Sequence, residues 1–180
     1  MPAPRGVSEV LFTPEQIAKR VSALAKKISA DYQGKNLVVI GILKGCIVFL
    51  GDLVRQIKVP LELDFLSVSS YAGESTTGMV KLNFDIKADV RDCDVLLIDD
   101  IVDTGFSLAF ARKHLLSREP RSLEVGVLLD KPQRRKVFVP VRYTGFTVPD
   151  RFVVGYGLDY NERFRELPYI GVLKSERLEP

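Results

Sequence analysis

Three carboxylates, Asp99, Asp100 and Asp103, crowd directly behind the apolar run Val95–Ile98, and a turn of Thr104, Gly105, Phe106 and Ser107 follows them before Leu108. Adjacent carboxylates repel each other unless a cation, a partner or a shifted pKa relieves them. Capping the next helix would account for Asp103 or Thr104, but one capping residue is enough and the pair at 99–100 is left unexplained. A turn that opens into a helix also presents free backbone N–H groups, which hold a phosphate well. Taken together, the run from Val95 to Leu108 reads as a site for a sugar phosphate and a metal ion.

Such a run needs a strand to carry it and a helix to follow. Val95–Ile98 with Ile101 suits a strand buried on both faces of a parallel sheet, where no polar alternation is expected, and Leu108–Leu116 carries the helical pattern. Ligands bind at the C-terminal ends of strands in open α/β sheets, which is where these carboxylates fall. Upstream, Thr13, Pro14 and Gln16 make a capping-box start, and Ile17, Val21, Leu24, Ala25 and Ile28 form one apolar helical face. Leu37–Ile42 reads as a buried strand, Ile47–Gln56 as a helix, and Leu61–Ser69 as a strand of mixed pattern. Val80–Ile86 alternates like a strand with one wet face, and the small polar stretch before it predicts a flexible loop over about 70–79. Leu123–Leu129 is another buried strand, with short strands at Arg151–Gly155 and Tyr169–Leu173. The alternation predicts an α/β fold: a mainly parallel sheet of about five strands with helices on both faces. The N-terminal segment and about 150–180 would add a small hood over the sheet edge, within one domain spanning 1–180.

At 180 residues, 46% apolar and 27% charged, the composition is that of an ordinary soluble globular protein. The first residues lack the apolar core of a signal peptide and no run reaches the length of a membrane span, so a cytoplasmic location without membrane attachment is expected. Cys46 and Cys93 lack metal-ligand spacing and are expected as free thiols. A net charge of +3 is too mild and dispersed to argue for nucleic-acid binding, and it suits a polyanionic small substrate.

The segment Ile98–Leu108 resembles the signature of type I phosphoribosyltransferases. Further segments resemble the hypoxanthine-guanine branch: Leu43-Lys44-Gly45, Ser69-Ser70-Tyr71 with Ser75-Thr76-Thr77-Gly78, Asp130-Lys131-Pro132, and Val148–Glu162 with Phe164-Arg165. The match runs in order along nearly the whole chain. It implies the fold of that family and a pentosyl transfer in purine salvage: a 6-oxopurine displaces pyrophosphate from carbon 1 of phosphoribosyl pyrophosphate, with Mg²⁺ as cofactor.

The resemblance also implies roles. Asp99 and Asp100 would hold the ribose hydroxyls, directly or through the metal and its waters, with Asp99 standing where the branch usually has Glu. Asp103 would be the general acid or base at purine N7. Thr104, Gly105, Phe106, Ser107 and Leu108 would wrap the 5′-phosphate, with Phe106 in place of the polar or basic residue often found there. Lys44 and Gly45 would form a pyrophosphate-binding turn with a cis peptide at Leu43-Lys44, and Arg165 a second pyrophosphate cation. Lys131 would donate to the purine O6, a contact an amino group could not satisfy. Phe152 would stack on the base, the backbone of Val153 would read its edge, and Asp159 would lie near a second metal or the purine 2-position. Ser70 and Tyr71 would open a loop that closes over the site. A homodimer or homotetramer is implied.

Without the resemblance, Lys131 reads as a surface lysine in the basic loop with Arg134, Arg135 and Lys136, and Phe152 and Val153 read as plain core. His114, the sole histidine, reads as structural. Two other functions stay in view. A regulatory protein on the same fold would sense nucleotides and bind nucleic acid, which calls for a concentrated basic face that this chain lacks. Receiver domains also carry adjacent strand-end carboxylates that hold Mg²⁺, although the turn after Asp103 suits a phosphate monoester better.

Overall fold

The computed structural model describes residues 6–70 and 80–174, Ser70 by its backbone alone. The anticipated loop at 70–79, with Tyr71 and the side chain of Ser70, therefore lies outside the described residues.

Two sheets organise the chain. The larger holds six strands, in the order β4 (Val80–Phe84), β3 (Leu61–Ser70), β2 (Leu37–Leu43), β5 (Asp94–Val102), β6 (Ser122–Asp130) and β7 (Tyr143–Thr147). All neighbours are parallel except β3 and β4, an antiparallel pair at the edge. The sheet is one strand wider than the sequence suggests. β7, with only Tyr143 and Gly145 buried, carries too weak a pattern to be read as a strand in isolation.

The central strands are apolar on both faces, and this dictates the layering. Leu37, Val39, Leu96 and Ile98 pack into one core with Ile17, Val21, Ile28, Phe49 and Leu50 of helices α1 (Pro14–Asp31) and α2 (Ile47–Val54). The intervening residues Val38, Ile40, Val95 and Leu97 pack into a second core with Leu108, Ala111 and Leu115 of α3 (Phe106–Leu116). α1 starts as expected: the Thr13 hydroxyl accepts from the Gln16 N–H, the Gln16 side chain accepts from the Thr13 N–H at 2.9 Å, and Pro14 takes the first turn. α2 stops two residues before Gln56, and β4 stops at Phe84.

The smaller sheet joins the chain ends in the order β1 (Val7–Phe12), β9 (Ile170–Leu173) and β8 (Val153–Val154), all antiparallel. The strand expected over Arg151–Gly155 contracts to two residues, because the backbone turns to positive φ at Gly155 and Tyr156. Cys46 and Cys93 are buried free thiols, and His114 contacts Asp85 at 3.0 Å, a tie between α3 and the end of β4. No described helix is long and apolar enough to cross a membrane.

Candidate active site

The parallel strands end together, and the C-terminal end of β5 forms the floor of two adjoining clefts of about 470 and 350 Å³ that share Asp100, Ile101 and Asp103. Asp99 is buried, and each carboxylate of the pair accepts the next residue's backbone N–H: Asp100 N to Asp99 Oδ1 at 3.0 Å, and Ile101 N to Asp100 Oδ1 at 2.8 Å. Burial, and then the Asp100 charge, push Asp99 well above the ordinary carboxylate range, and burial also raises Asp100. This adjacent pair of carboxylates, Asp99 buried and Asp100 partly exposed to the clefts, offers hard oxygen donors that fit a small divalent cation. Among the described residues no three His, Cys, Asp or Glu side chains could hold a metal by themselves, so the rest of an ion's shell would come from substrate oxygens and water.

The smaller cleft lies over the start of α3. Capping by Asp103 or Thr104 does not occur: the cap is Gly105 at φ 91°, with no side-chain cap hydrogen bond. A side chain at Gly105 would also strike the Val137 carbonyl, 2.5 Å from where its Cβ would lie. The first N–H groups of α3 are thus left without a side-chain acceptor, beside Thr104, Ser107 and Leu108, which line the cleft. Phe106, alone among residues 104–108, is not part of this lining. The loop after β6 locks this turn in place, with Lys136 N and Val137 N both donating to the Thr104 carbonyl at 2.9 and 3.0 Å.

The larger cleft is lined by Asp103, Lys131, Arg134, Asp150, Phe152, Val153 and Asp159 among others. Lys131 is buried with 6% of its surface exposed, against its reading as a surface lysine. That burial lowers its pKa, partly offset by the nearby charge of Asp103. Phe152 is 40% exposed, against its reading as core, and stands edge-on to Tyr160 with ring centroids 5.5 Å apart. Val153 is buried and lines this cleft.

Lys44 and Arg165, distant in the chain, come together at Glu162. The Leu43-Lys44 peptide is cis, as the resemblance implied. A Cβ at Gly45 would fall 1.8 Å from Asp100 Oδ2, so this turn lies directly against the acidic pair. Lys44 Nζ donates to Glu162 Oε1 and Arg165 Nη2 to Glu162 Oε2, each at 3.0 Å. Arg165 also pairs with Asp159 at 3.0 Å and donates to the Gly157 carbonyl at 2.8 Å, while its Nε is buried without a partner. Asp159 is therefore paired with a cation, in the cleft that Asp100 also lines. Sequence reading missed Glu162 and Arg134 as site residues. The first was visible only as part of a dense motif block and the second only as one charge in a basic run.

A phosphoribosyl transferase domain model matches residues 8–161, and the chain belongs to that family. It is 48% identical over 173 residues to the hypoxanthine-guanine phosphoribosyltransferase of Dictyostelium discoideum, covering 93% of this chain and 96% of the relative. The hypoxanthine phosphoribosyltransferase of Salmonella typhimurium is 46% identical over 91% of this chain and 93% of its own length. In structure, a hypoxanthine phosphoribosyltransferase from Staphylococcus aureus superposes with a TM-score of 0.93 at 46% identity, covering 97% of this chain and 96% of that one. Catalysis in this branch uses a metal ion.

Proposed function

We propose that this chain transfers the 5-phosphoribosyl group of phosphoribosyl pyrophosphate to hypoxanthine or guanine, forming IMP or GMP and releasing pyrophosphate in purine salvage. One observation carries the reading. In a continuous cleft, Asp103 lies between an uncapped helix start beside an acidic pair and a buried lysine beside an exposed aromatic ring.

Each end has its task. The N–H groups and hydroxyls of Thr104–Leu108 hold the 5′-phosphate, and Lys44 and Arg165 receive the departing diphosphate. Asp99 and Asp100 would hold Mg²⁺ together with substrate oxygens and water, and the ion supplies charge neutralisation of the leaving group when bound, while Asp159 would lie near a second metal or the purine 2-position. Phe152 stacks on the purine, and the Lys131 ammonium donates to O6. A half-desolvated donor of this kind rejects an adenine amino group, which would leave both partners unsatisfied. As the bond to carbon 1 forms, Asp103 takes the proton from N7. Assembly as a homodimer or homotetramer and residence in the cytoplasm belong to the same reading, on the strength of the family resemblance. Nothing in the site or in these relatives favours the nucleic-acid-binding regulator.

The test is nucleotide formation from phosphoribosyl pyrophosphate and Mg²⁺ with hypoxanthine, guanine, xanthine, adenine and uracil offered in turn. Turnover with 6-oxopurines and not with adenine or uracil is expected. D103N should fold normally and lose about 10²- to 10⁴-fold in kcat. Activity mainly with uracil, or near-normal turnover in D103N, overturns the assignment.

A further inference from the structure

A charged bridge crosses the larger cleft, from Asp103 through Arg134 to Asp150. Arg134, exposed at the end of the short 3-10 turn Pro132–Arg134, divides its guanidinium between two carboxylates. Its Nε donates to Asp103 Oδ1 at 2.7 Å and its Nη1 to Asp150 Oδ1 at 3.3 Å. An arginine facing one carboxylate commonly uses two parallel N–H groups and engages both oxygens. Here the split fork holds Asp103 by a single oxygen, and among the described residues Oδ2 accepts no hydrogen bond. The main chain at the same residue is held too, since Arg135 Nε donates to the Asp103 carbonyl at 3.3 Å.

This arrangement suits a residue that must present one oxygen to a ligand. A half-exposed aspartate left alone samples several rotamers, and most of them point away from any given proton. Tethering Oδ1 removes that freedom and leaves Oδ2 for the cleft. Asp150, bonded to Nη1 on the other side of the guanidinium, anchors the far end of the fork. The charged groups that line the cleft with Asp103 are Lys131 and Arg134 from the loop after β6, Asp150 and Arg151 from the loop before β8, Asp159 from the segment after β8, and Asp100 from the end of β5.

We propose that Arg134 is a positioning residue for Asp103, anchored at its other end by Asp150, and that it acts on proton transfer and not on binding of phosphoribosyl pyrophosphate. The proposal rests on the reading of Asp103 as the group that handles the purine proton. Both Arg134 and Asp150 are exposed, so their replacement leaves the fold intact.

The test is a double-mutant cycle in kcat, with the thermal midpoint of each variant measured alongside. R134Q should lower kcat about tenfold at unchanged KM for phosphoribosyl pyrophosphate and an unchanged midpoint. R134K should fail to restore it, because a single ammonium cannot span both carboxylates in the fixed geometry of the fork. D150N should cost about threefold. In D103N, itself slowed as above, adding R134Q should change kcat no further. A wild-type kcat in R134Q, or an equal loss with and without Asp103, overturns the proposal while leaving the slow D103N enzyme to support the role of Asp103. Normal turnover in D103N overturns that role and the proposal with it.

Discussion

The acidic and cationic walls of the cleft treat their charges in opposite ways. Asp99 and Asp100 are packed at the end of a central strand, where backbone N–H groups and their contact with each other give partial relief, and Arg165 acts on Asp100 as a charge without an ion pair. Across from them, Lys44 and Arg165 are already paired, chiefly through Glu162, whose side chain is 63% exposed. Desolvating a carboxylate costs several kcal/mol, whereas an exposed ion pair is worth about 0–1 kcal/mol. The free protein thus concentrates its electrostatic cost on the side that would receive a metal and holds its cations in a contact that is cheap to exchange for a diphosphate. A ligand carrying both charges, a metal with its diphosphate, relieves the first wall and displaces the second at small cost.

Three changes test this contrast. The largest effect is expected where the walls touch. G45A would drive a methyl group into the Asp100 carboxylate, 1.8 Å from Oδ2, so both must shift. Turnover should fall by about 10²-fold, the scale of a 1 Å misplacement, and stability by about 1–3 kcal/mol. Steady-state rates and chemical denaturation measure both, and a variant with normal turnover would show that the two walls need no close register.

A moderate effect of opposite sign is expected at Asp99. D99N keeps an acceptor for the Asp100 N–H while removing a buried charge, so the metal-free protein should gain about 1–2 kcal/mol. Thermal denaturation without divalent ions checks this. A lower midpoint for D99N would mean that the pair is already satisfied in the free protein, and the contrast between the walls would vanish.

The smallest change is E162Q. Removing the carboxylate that occupies Lys44 and Arg165 should tighten pyrophosphate binding a fewfold, about 2- to 5-fold by the worth of exposed pairs, as read by calorimetry. Weaker binding in E162Q would show instead that Glu162 organises the two cations.

How far these features could be read from the chain depends on how local they are. The run Val95–Leu108 was legible because strand, turn and helix start are consecutive there, so spacing along the chain is spacing in space. Helix α1 was legible for the same reason, through its cap and its single apolar face. The ion pairs of Arg134 with Asp103 and of Lys44 with Glu162 join residues 31 and 118 positions apart, and no local pattern announces them. β1 and β7 escaped notice because each takes its meaning from a partner strand. β1 pairs with β9 at the other end of the chain, and β7 extends a sheet whose other strands are already evident.

The sequence by itself determined the α/β architecture, the two-faced burial of the central strands and the placing of three carboxylates at a strand end. Those properties follow from side-chain type and period alone. Tertiary structure decided which charges are compensated. Whether Lys131 is a solvated lysine or a buried donor, whether Phe152 is core or an exposed ring, and whether Arg134 is a surface charge or the holder of Asp103 all depend on what packs alongside. Burial and electrostatic pairing are properties of the neighbourhood in space, and folding brings those neighbours together from distant parts of the chain.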